Sequence, residues 1–326
     1  MNDQLQTMRD LDQMPETARF LGDVLDGLSS DPPRLPCKYF YDQRGSELFD
    51  RICELDEYYL TRTEVGIMEQ YGPQMAEVLG PEVMLIEYGS GSSVKTRILL
   101  DHLSSPAAYV PVDISCEHLC HTAERLSEDY PELPILPTCA DFTSDFELPP
   151  CPQTPRRRAV YFPGSTIGNF TPPAATRILK SMRRQCDPVG DLIIGIDLQK
   201  DPRVLEAAYD DGQGVTAAFN LNLLHRINRE LDARIPVDQF EHQACYNRRE
   251  GRIEIYLVSR CDQTIYVGGE RFVLSEGDRI CTEYSHKYTI DGFGEMASQA
   301  GWRQRDVWTD SRAYFAVAHL VTESAG

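Results

Sequence analysis

The chain has 326 residues, 41% of them hydrophobic and 25% charged, which is an ordinary globular composition with room for one full α/β domain and a smaller second unit. Lys and Arg number 32 against 51 Asp and Glu, and the resulting formal charge of -19 repels phosphate backbones and anionic bilayers, so neither nucleic acid nor a membrane is an expected partner. The opening residues lack a basic flank followed by an apolar run, and no stretch of about 18 apolar residues occurs, so a cytoplasmic location is expected.

In chain order, a helix is predicted near residues 15–27, and Pro32, Pro33 and Pro36 forbid its continuation. Residues 38–53 open on Tyr39, Phe40 and Tyr41 and then place Leu48, Phe49 and Ile52 at helical spacing. With Tyr58 and Tyr59 close behind, several tyrosines crowd a short segment, and each hydroxyl needs a partner if its ring is buried. Such a cluster is either core or the wall of a binding site, and the residues alone leave both open.

Met84, Leu85 and Ile86 form a short continuous apolar run, as in a strand buried on both faces, and Gly89 and Gly91 stand where it stops, just before a helix. That unit belongs at the carboxyl edge of a parallel sheet, where glycines admit a ligand to the backbone and the helix start offers amide donors. A dinucleotide site wants a third glycine where Val94 stands. Glu87, two residues before Gly89, instead gives Glu-x-Gly-x-Gly, the form seen in S-adenosylmethionine (SAM) methyltransferases, with the acid near the amino end of the methionine part. A tight strand-to-helix connection without a ligand is the plainer alternative.

Strand and helix keep alternating. Residues 109–113 are a predicted strand ending in Asp113, 24 residues beyond Gly89, where a carboxylate meets ribose hydroxyls. Residues 133–139 are predicted as a third strand, followed by Asp141 and Phe142, an acceptor for an exocyclic amine and a ring to bracket an adenine. A fourth strand from 159 runs into a small-residue loop with Gly164, Ser165 and Asn169; Thr171 is placed to cap the next helix, and 191–197 is the fifth strand. From about residue 200 the alternation breaks. A helical stretch with Tyr209, Asp210 and Asp211 and residues 215–231 precedes strand-like runs at 252–258 and 263–267, with Gly268 and Gly269 as a hairpin turn. A helix over 288–301 and strands over 302–308 and 314–321 then complete a seven-stranded sheet.

The ten cysteines show no Cys-x-x-Cys. Only Cys116 and Cys120 are close, at i, i+4, and His118 between them faces elsewhere on the helix, so reduced thiols packed as small apolar side chains are expected, and no metal site.

Several runs together resemble one family: Lys38-Tyr-Phe-Tyr-Asp, Arg44-Gly-Ser-Glu-Leu-Phe, Glu57-Tyr-Tyr-Leu-Thr-Arg, Glu87-Tyr-Gly-Ser-Gly-Ser-Ser-Val-Lys-Thr-Arg, Tyr109-Val-Pro-Val-Asp-Ile-Ser, Gly164-Ser-Thr-Ile-Gly-Asn, Tyr209-Asp-Asp and Thr282-Glu-Tyr-Ser. The chain is similar over nearly its whole length to the histidine-specific SAM-dependent Nα-methyltransferases, which form hercynine in ergothioneine biosynthesis. The resemblance implies an α/β fold of the class I SAM-methyltransferase (Rossmann-like) type, a seven-stranded sheet with a smaller α+β substrate-binding domain. Its parts would be an N-terminal segment 1–62 contributing to the substrate domain, a SAM-binding core 63–198, a substrate-binding insertion 199–286, and a stretch 287–326 completing the sheet.

The resemblance also implies S-adenosyl-L-methionine as co-substrate, with S-adenosylhomocysteine as product, contacted by Gly89, Lys95, Asp113, Asp141 and Phe142. L-Histidine would be the substrate, contacted by Tyr58, Gly164, Asn169, Tyr209, Glu283 and Ser285. Asn169 and Tyr209 would hold its α-carboxylate, Glu283, Ser285 and Tyr58 its imidazole, and Tyr41 would be the catalytic group beside the amine. Glu283 and Ser285, two apart on an extended segment, share a face, and a carboxylate plus a hydroxyl satisfies both ring nitrogens. A monomer is expected. Three positions depart from the family: Ile255 where methionine usually lies near the substrate ring, Leu60 where proline is common, and Ser165 in place of a glycine. Ile255 puts the choice of amino acid in question, so an Nα-methyltransferase for another aromatic or imidazole amino acid such as tryptophan is the alternative, and a non-catalytic SAM or amino-acid binding module a further one.

Overall fold

The structure is a computed structural model that describes residues 16–90 and 94–322; Gly91, the second glycine of the turn, lies outside the described residues. The chain forms two compact units, one holding the described residues up to Tyr59 together with Lys200–Ser285, the other Leu60–Gln199 with the described residues from His286 onward.

The second unit is built on a seven-stranded sheet. Strands β1 (Val83–Tyr88), β2 (Ala108–Asp113), β3 (Thr138–Cys139), β4 (Arg157–Phe162) and β5 (Gly190–Asp197) run parallel, and β12 (Phe315–Thr322) and β11 (Trp302–Thr309) close it antiparallel, in the order β11-β12-β5-β4-β1-β2-β3. The alternation of side chains along β1 explains why every residue of it is apolar or buried. Met84 and Ile86 point to a face packed by Ile178 and Leu179 of α6 (Pro172–Gln185) and by Phe293 and Trp302. Val83 and Leu85 point to the opposite face, against Ile67, Met68 and Met75 of α3 (Tyr59–Leu79) and Leu99 of α4 (Val94–Leu100). Each such side chain contributes about 1.5–3 kcal/mol when fully buried, which is why the central strand tolerates no polar insertion before Glu87.

Three local expectations change. The third strand shrinks from residues 133–139 to Thr138–Cys139, with Ile135 meeting Tyr109 only as an isolated bridge. Pro134 and Pro137 supply no N–H, so a longer ladder has no donors there. Thr171 does stand at the N-cap of α6, but its side chain makes no cap bond; Pro173, at the second helical position, removes one of the two amides it could have satisfied. The expectation of unbridged thiols also fails at one place: Cys116, opening α5 (Cys116–Asp129), is disulfide-bonded to Cys139 at the end of β3, with Cα atoms 5.2 Å apart. The pairing of Asp113 with Cys139 in the parallel register brings these ends together, a proximity that spacing in sequence conceals.

The other unit carries α1 (Glu16–Leu28), α2 (Gln43–Glu54), α7 (Pro202–Tyr209) and α8 (Val215–Glu230), with a three-stranded sheet in the order β10 (Arg279–His286), β7 (Arg252–Ser259), β6 (Phe240–Asn247) and a hairpin of β8 (Gln263–Val267) and β9 (Glu270–Leu274). Gly268 and Gly269 turn that hairpin at φ +56° and +87°, a backbone that glycine adopts without strain. Carboxylates start its helices. Asp42 accepts the Gly45 amide at 2.7 Å and also the Asn222 side-chain amide of α8 at 2.8 Å, while Asp211 accepts the amides of Gln213, Val215 and Thr216 and so orders the entry to α8 just after Tyr209. Among the described residues, no helix is long and apolar enough to cross a membrane.

Candidate active site

The carboxyl edge of the seven-stranded sheet gathers the residues expected to hold SAM. Gly89 leaves β1 at φ +72° with its amide bonded to Val112 of β2, and a Cβ there would sit 3.9 Å from the ring of Phe142, so the turn and the ring bound one surface. Phe142 is fixed from behind by Tyr88 and Phe162, at ring-centroid distances of 5.4 and 5.5 Å. Asp113 ends β2, accepts the Ser115 amide at 2.8 Å, and is held above the usual carboxylate range by burial. Asp141 accepts the amide of Thr143 at 2.9 Å, which aims its carboxylate from the loop after β3. Ser90, 1% exposed, has a hydroxyl with no hydrogen-bond partner among the described residues. A buried unsatisfied hydroxyl beside a left-handed glycine and an aromatic wall is what a polar ligand on this edge would complete, so the residues present fit the methionine and adenosine parts of SAM.

Glu87 and Glu64 stand at different levels of this edge. Glu87, the acid of the glycine motif, is buried and accepts the hydroxyls of Thr96 at 2.7 Å and Tyr109 at 2.6 Å; it ties the start of α4 to β1 and β2 from beneath. Burial pushes its carboxyl up to about 7. Glu64, on α3, lies at the edge itself: its 1%-exposed carboxylate pairs with Lys95 at 2.6 Å and accepts the Gly164 amide at 2.9 and 3.0 Å. A Cβ on Gly164 would stand 3.5 Å from the Lys95 ammonium, so these two expected site residues are neighbours and Glu64 joins them. Sequence reading gave Glu64 no role because nothing local marks it; its partner amide is 100 residues away.

The loop after β4 carries Gly164 at φ +79° and Ser165 at φ +58°, then a 3-10 turn, Thr166–Asn169, that ends on Asn169. The positive φ explains why glycine suits position 165. Serine is retained because its hydroxyl accepts the Asp197 amide at 2.9 Å, which offsets the strain. Asp197 in turn pairs with Lys287 at 2.7 Å, both side chains fully buried.

In the other unit, Tyr58, Tyr209 and Ser285 come together. The Tyr209 hydroxyl and the Ser285 hydroxyl share a hydrogen bond of 2.8 Å, and the Tyr58 ring stands edge-on to Tyr209 at 6.0 Å. All three are buried, and burial pushes the Tyr58 phenol well above its ordinary range, with Tyr209, Tyr41 and Glu283 adding to the effect; it is a neutral hydroxyl at any physiological pH. Glu283 is half-buried on β10, two residues before Ser285. Tyr41 is 40% exposed and packs edge-on against Phe49 and Phe219. Ile255, on β7, is buried. Gly164 and Asn169 belong to the sheet unit.

Five parallel strands with two antiparallel ones, the 3-2-1-4-5 order continued by the late pair, and a glycine turn after the first strand define a class I SAM-dependent methyltransferase. The chain belongs to the histidine-specific, SAM-dependent methyltransferase family, whose pattern matches residues 20–322. It is 38% identical to a histidine N-alpha-methyltransferase of Mycolicibacterium smegmatis, over 92% of this chain and 94% of that one. It is 39% identical to a histidine N-alpha-methyltransferase of Mycobacterium tuberculosis, over 91% of this chain and 92% of that one. An ergothioneine biosynthesis protein 1 of Neurospora crassa is 29% identical across 90% of this chain, which spans 33% of that longer protein.

Proposed function

We propose that the chain transfers three methyl groups in succession from SAM to the α-amine of L-histidine, giving hercynine for ergothioneine biosynthesis. The observation that carries the choice of acceptor is the buried Tyr209–Ser285 hydroxyl pair with Tyr58 against it and Glu283 on the same strand as Ser285. A carboxylate accepts an imidazole N–H and a hydroxyl serves the other nitrogen, so a ring with two nitrogens satisfies this set where an indole, with one, leaves a polar group unpaired. Bound SAM supplies an activated methyl on a sulfonium. The chain's own residues then have positional work: Gly89, Lys95, Asp113, Asp141 and Phe142 hold the donor, and Asn169 and Tyr209 fix the acceptor's carboxylate so that its amine keeps one line of approach. Tyr41 is the hydroxyl assigned to the amine. A neutral phenol oxygen is a weak base, so Tyr41 orients the lone pair and water carries the proton away.

Incubation with methyl-labelled SAM and a panel of free amino acids tests this. Label should accumulate on histidine as mono-, di- and trimethylated species, with the trimethylated form final. Transfer to tryptophan in preference, or binding of SAM with no transfer to any amino acid, would overturn the assignment.

A further inference from the structure

Behind the Tyr209–Ser285 pair runs a chain of buried and part-buried hydrogen bonds with no part in the chemistry above. The Thr282 hydroxyl donates to Asn220 Oδ1 at 2.8 Å, and Asn220 Nδ2 donates to the Tyr256 carbonyl at 3.0 Å and lies 3.0 Å from His242 Nδ1. His242 Nε2 lies 2.8 Å from the Tyr209 carbonyl. Asn220 and Thr282 are 1% and 2% exposed, so their side-chain groups must be matched within the protein, while His242 is half-buried.

Two backbone carbonyls decide all the donors. Tyr256 O only accepts, so the Asn220 amide nitrogen must face it and its oxygen must face Thr282. Tyr209 O only accepts, so His242 must carry its proton on Nε2 and present a bare Nδ1 to the second Asn220 N–H. One arrangement is self-consistent, and it needs a neutral imidazole: a proton on Nδ1 would oppose the Asn220 N–H donor to donor. The chain touches two segments that carry candidate acceptor residues, those of Tyr209 and of Glu283 and Ser285, and also the strand of Ile255. It holds Tyr209 by its carbonyl and β10 at Thr282, just ahead of Glu283 and Ser285. On β7 it holds Tyr256 by its carbonyl, while the Thr282 hydroxyl also lies 3.3 Å from the carbonyl of Ile255.

We infer that Thr282, Asn220 and His242 form a positioning relay that sets Tyr209 against Ser285, with His242 serving only as the neutral Nε2–H tautomer. This rests on the histidine-methylating reading and deepens it: the acceptor subsite is assembled from its rear and comes apart when His242 gains a proton. The charges acting on His242 are Asp210 and Asp211, after α7, which favour that proton; burial opposes it and prevails, holding the imidazole below its ordinary value. Its neighbours on α8 and β7, Asn220 and the cross-strand Leu257, are uncharged.

The test compares wild type, His242→Phe and His242→Gln for histidine KM, kcat and SAM affinity from pH 5.5 to 7.5. Phe fills the space without bonds, and Gln offers an N–H to Tyr209 O but does not titrate. Expected at pH 7.5 are a histidine KM raised about tenfold in His242→Phe, with kcat at saturation and SAM affinity within about twofold, and recovery of most of that loss in His242→Gln. Wild type should lose histidine affinity toward pH 5.5 more steeply than His242→Gln, since substrate titration is common to both. A KM unshifted in the Phe variant, or superimposable pH profiles for wild type and the Gln variant, overturns the relay alone. The profile comparison decides the matter if the Phe variant does not fold, and a wild type that transfers nothing to histidine overturns the relay and the functional reading together.

Discussion

Glu64→Gln is the substitution in which the electrostatics of the donor edge are most exposed to measurement. The native carboxylate serves two partners at once, Lys95 at 2.6 Å and the Gly164 amide at 2.9 and 3.0 Å. The glutamine oxygen can keep one of them. Its NH2 then faces the other, and against the Lys95 ammonium that is donor to donor. Hydrogen bonds to charged groups are worth about 1.5–3 kcal/mol. The Lys95 side chain is 19% exposed, so water recovers part of the loss and the lower part of that range applies, about 2 kcal/mol. If Lys95 holds the carboxylate of the methionine part, its displacement appears as a SAM dissociation constant about 30-fold higher, at about 1.4 kcal/mol per decade.

Calorimetric titration with S-adenosylhomocysteine reads that directly, and Lys95→Met supplies the reference. Two groups acting as one unit are not additive, so the double variant Glu64→Gln/Lys95→Met should bind no more weakly than Lys95→Met alone. A Glu64→Gln protein that melts earlier yet binds the nucleoside within about threefold of wild type would refute the coupling and leave Glu64 a purely structural brace.

The remaining expectations follow from the same structure. Glu87 has a carboxyl raised from 4.5 to about 7 by burial. It therefore contributes stability that is complete below pH 4.5 and lost as pH rises toward 7, roughly 3 kcal/mol at about 1.36 kcal/mol per pH unit, so the stability difference between wild type and Glu87→Gln in urea should shift by that order between pH 4.5 and 8 and then stay flat. An invariant difference would show that the folded protein keeps Glu87 ionised throughout. Lys287→Met removes the ammonium paired with the buried Asp197 carboxylate and should cost about 3–5 kcal/mol in denaturant unfolding, much of it regained in Lys287→Met/Asp197→Leu; no recovery would mean the pair matters only for packing. Glu283→Ala should abolish measurable selectivity for histidine while SAM binding stays intact, and unchanged histidine affinity by calorimetry would remove Glu283 from the subsite. Tyr41→Phe should lower kcat or stall the product at a mono- or dimethylated stage, read by mass spectrometry, with histidine binding little altered.

The donor edge was legible in sequence because its constraints are local. Apolar residues 84–86, a glycine at the strand end and an acid closing the next strand are each written within a few residues, and the sheet places them as the alternation of strands predicts. The third strand was overread because its apolar content outweighed Pro134 and Pro137, whose missing amides set its length. The Cys116–Cys139 bridge was not legible at all, since it depends on which strands adjoin and in what register. The acceptor residues could be named through a family resemblance only. Tyr209 and Ser285 are 76 residues apart, and a hydroxyl pair at that separation leaves no periodicity to find.

The three departures from the family differ in what the structure does about them. Leu60 is buried in the opening turn of α3, where the family's proline would be tolerated for want of a required donor, so leucine changes little there. Ser165 occupies a left-handed backbone that would favour glycine, yet its hydroxyl accepts the Asp197 amide, and Asp197 is anchored by a buried lysine; the strain is offset by a bond the glycine could not make. Ile255 has no such compensation on the side-chain end. Its carbonyl lies 3.3 Å from the Thr282 hydroxyl, which donates to Asn220, and the residue, 3% exposed, ends in a branched aliphatic group where the resemblance leads one to expect a flexible thioether. If it lines the acceptor subsite proposed above, a β-branched group has fewer rotamers with which to admit a larger ring, so the substitution would narrow the choice of acceptor by an amount on the scale of one methylene, about 1–3 kcal/mol. On the proposed reading of the acceptor subsite that direction would favour imidazole over indole, as would a carboxylate and a hydroxyl supplied by Glu283 and Ser285.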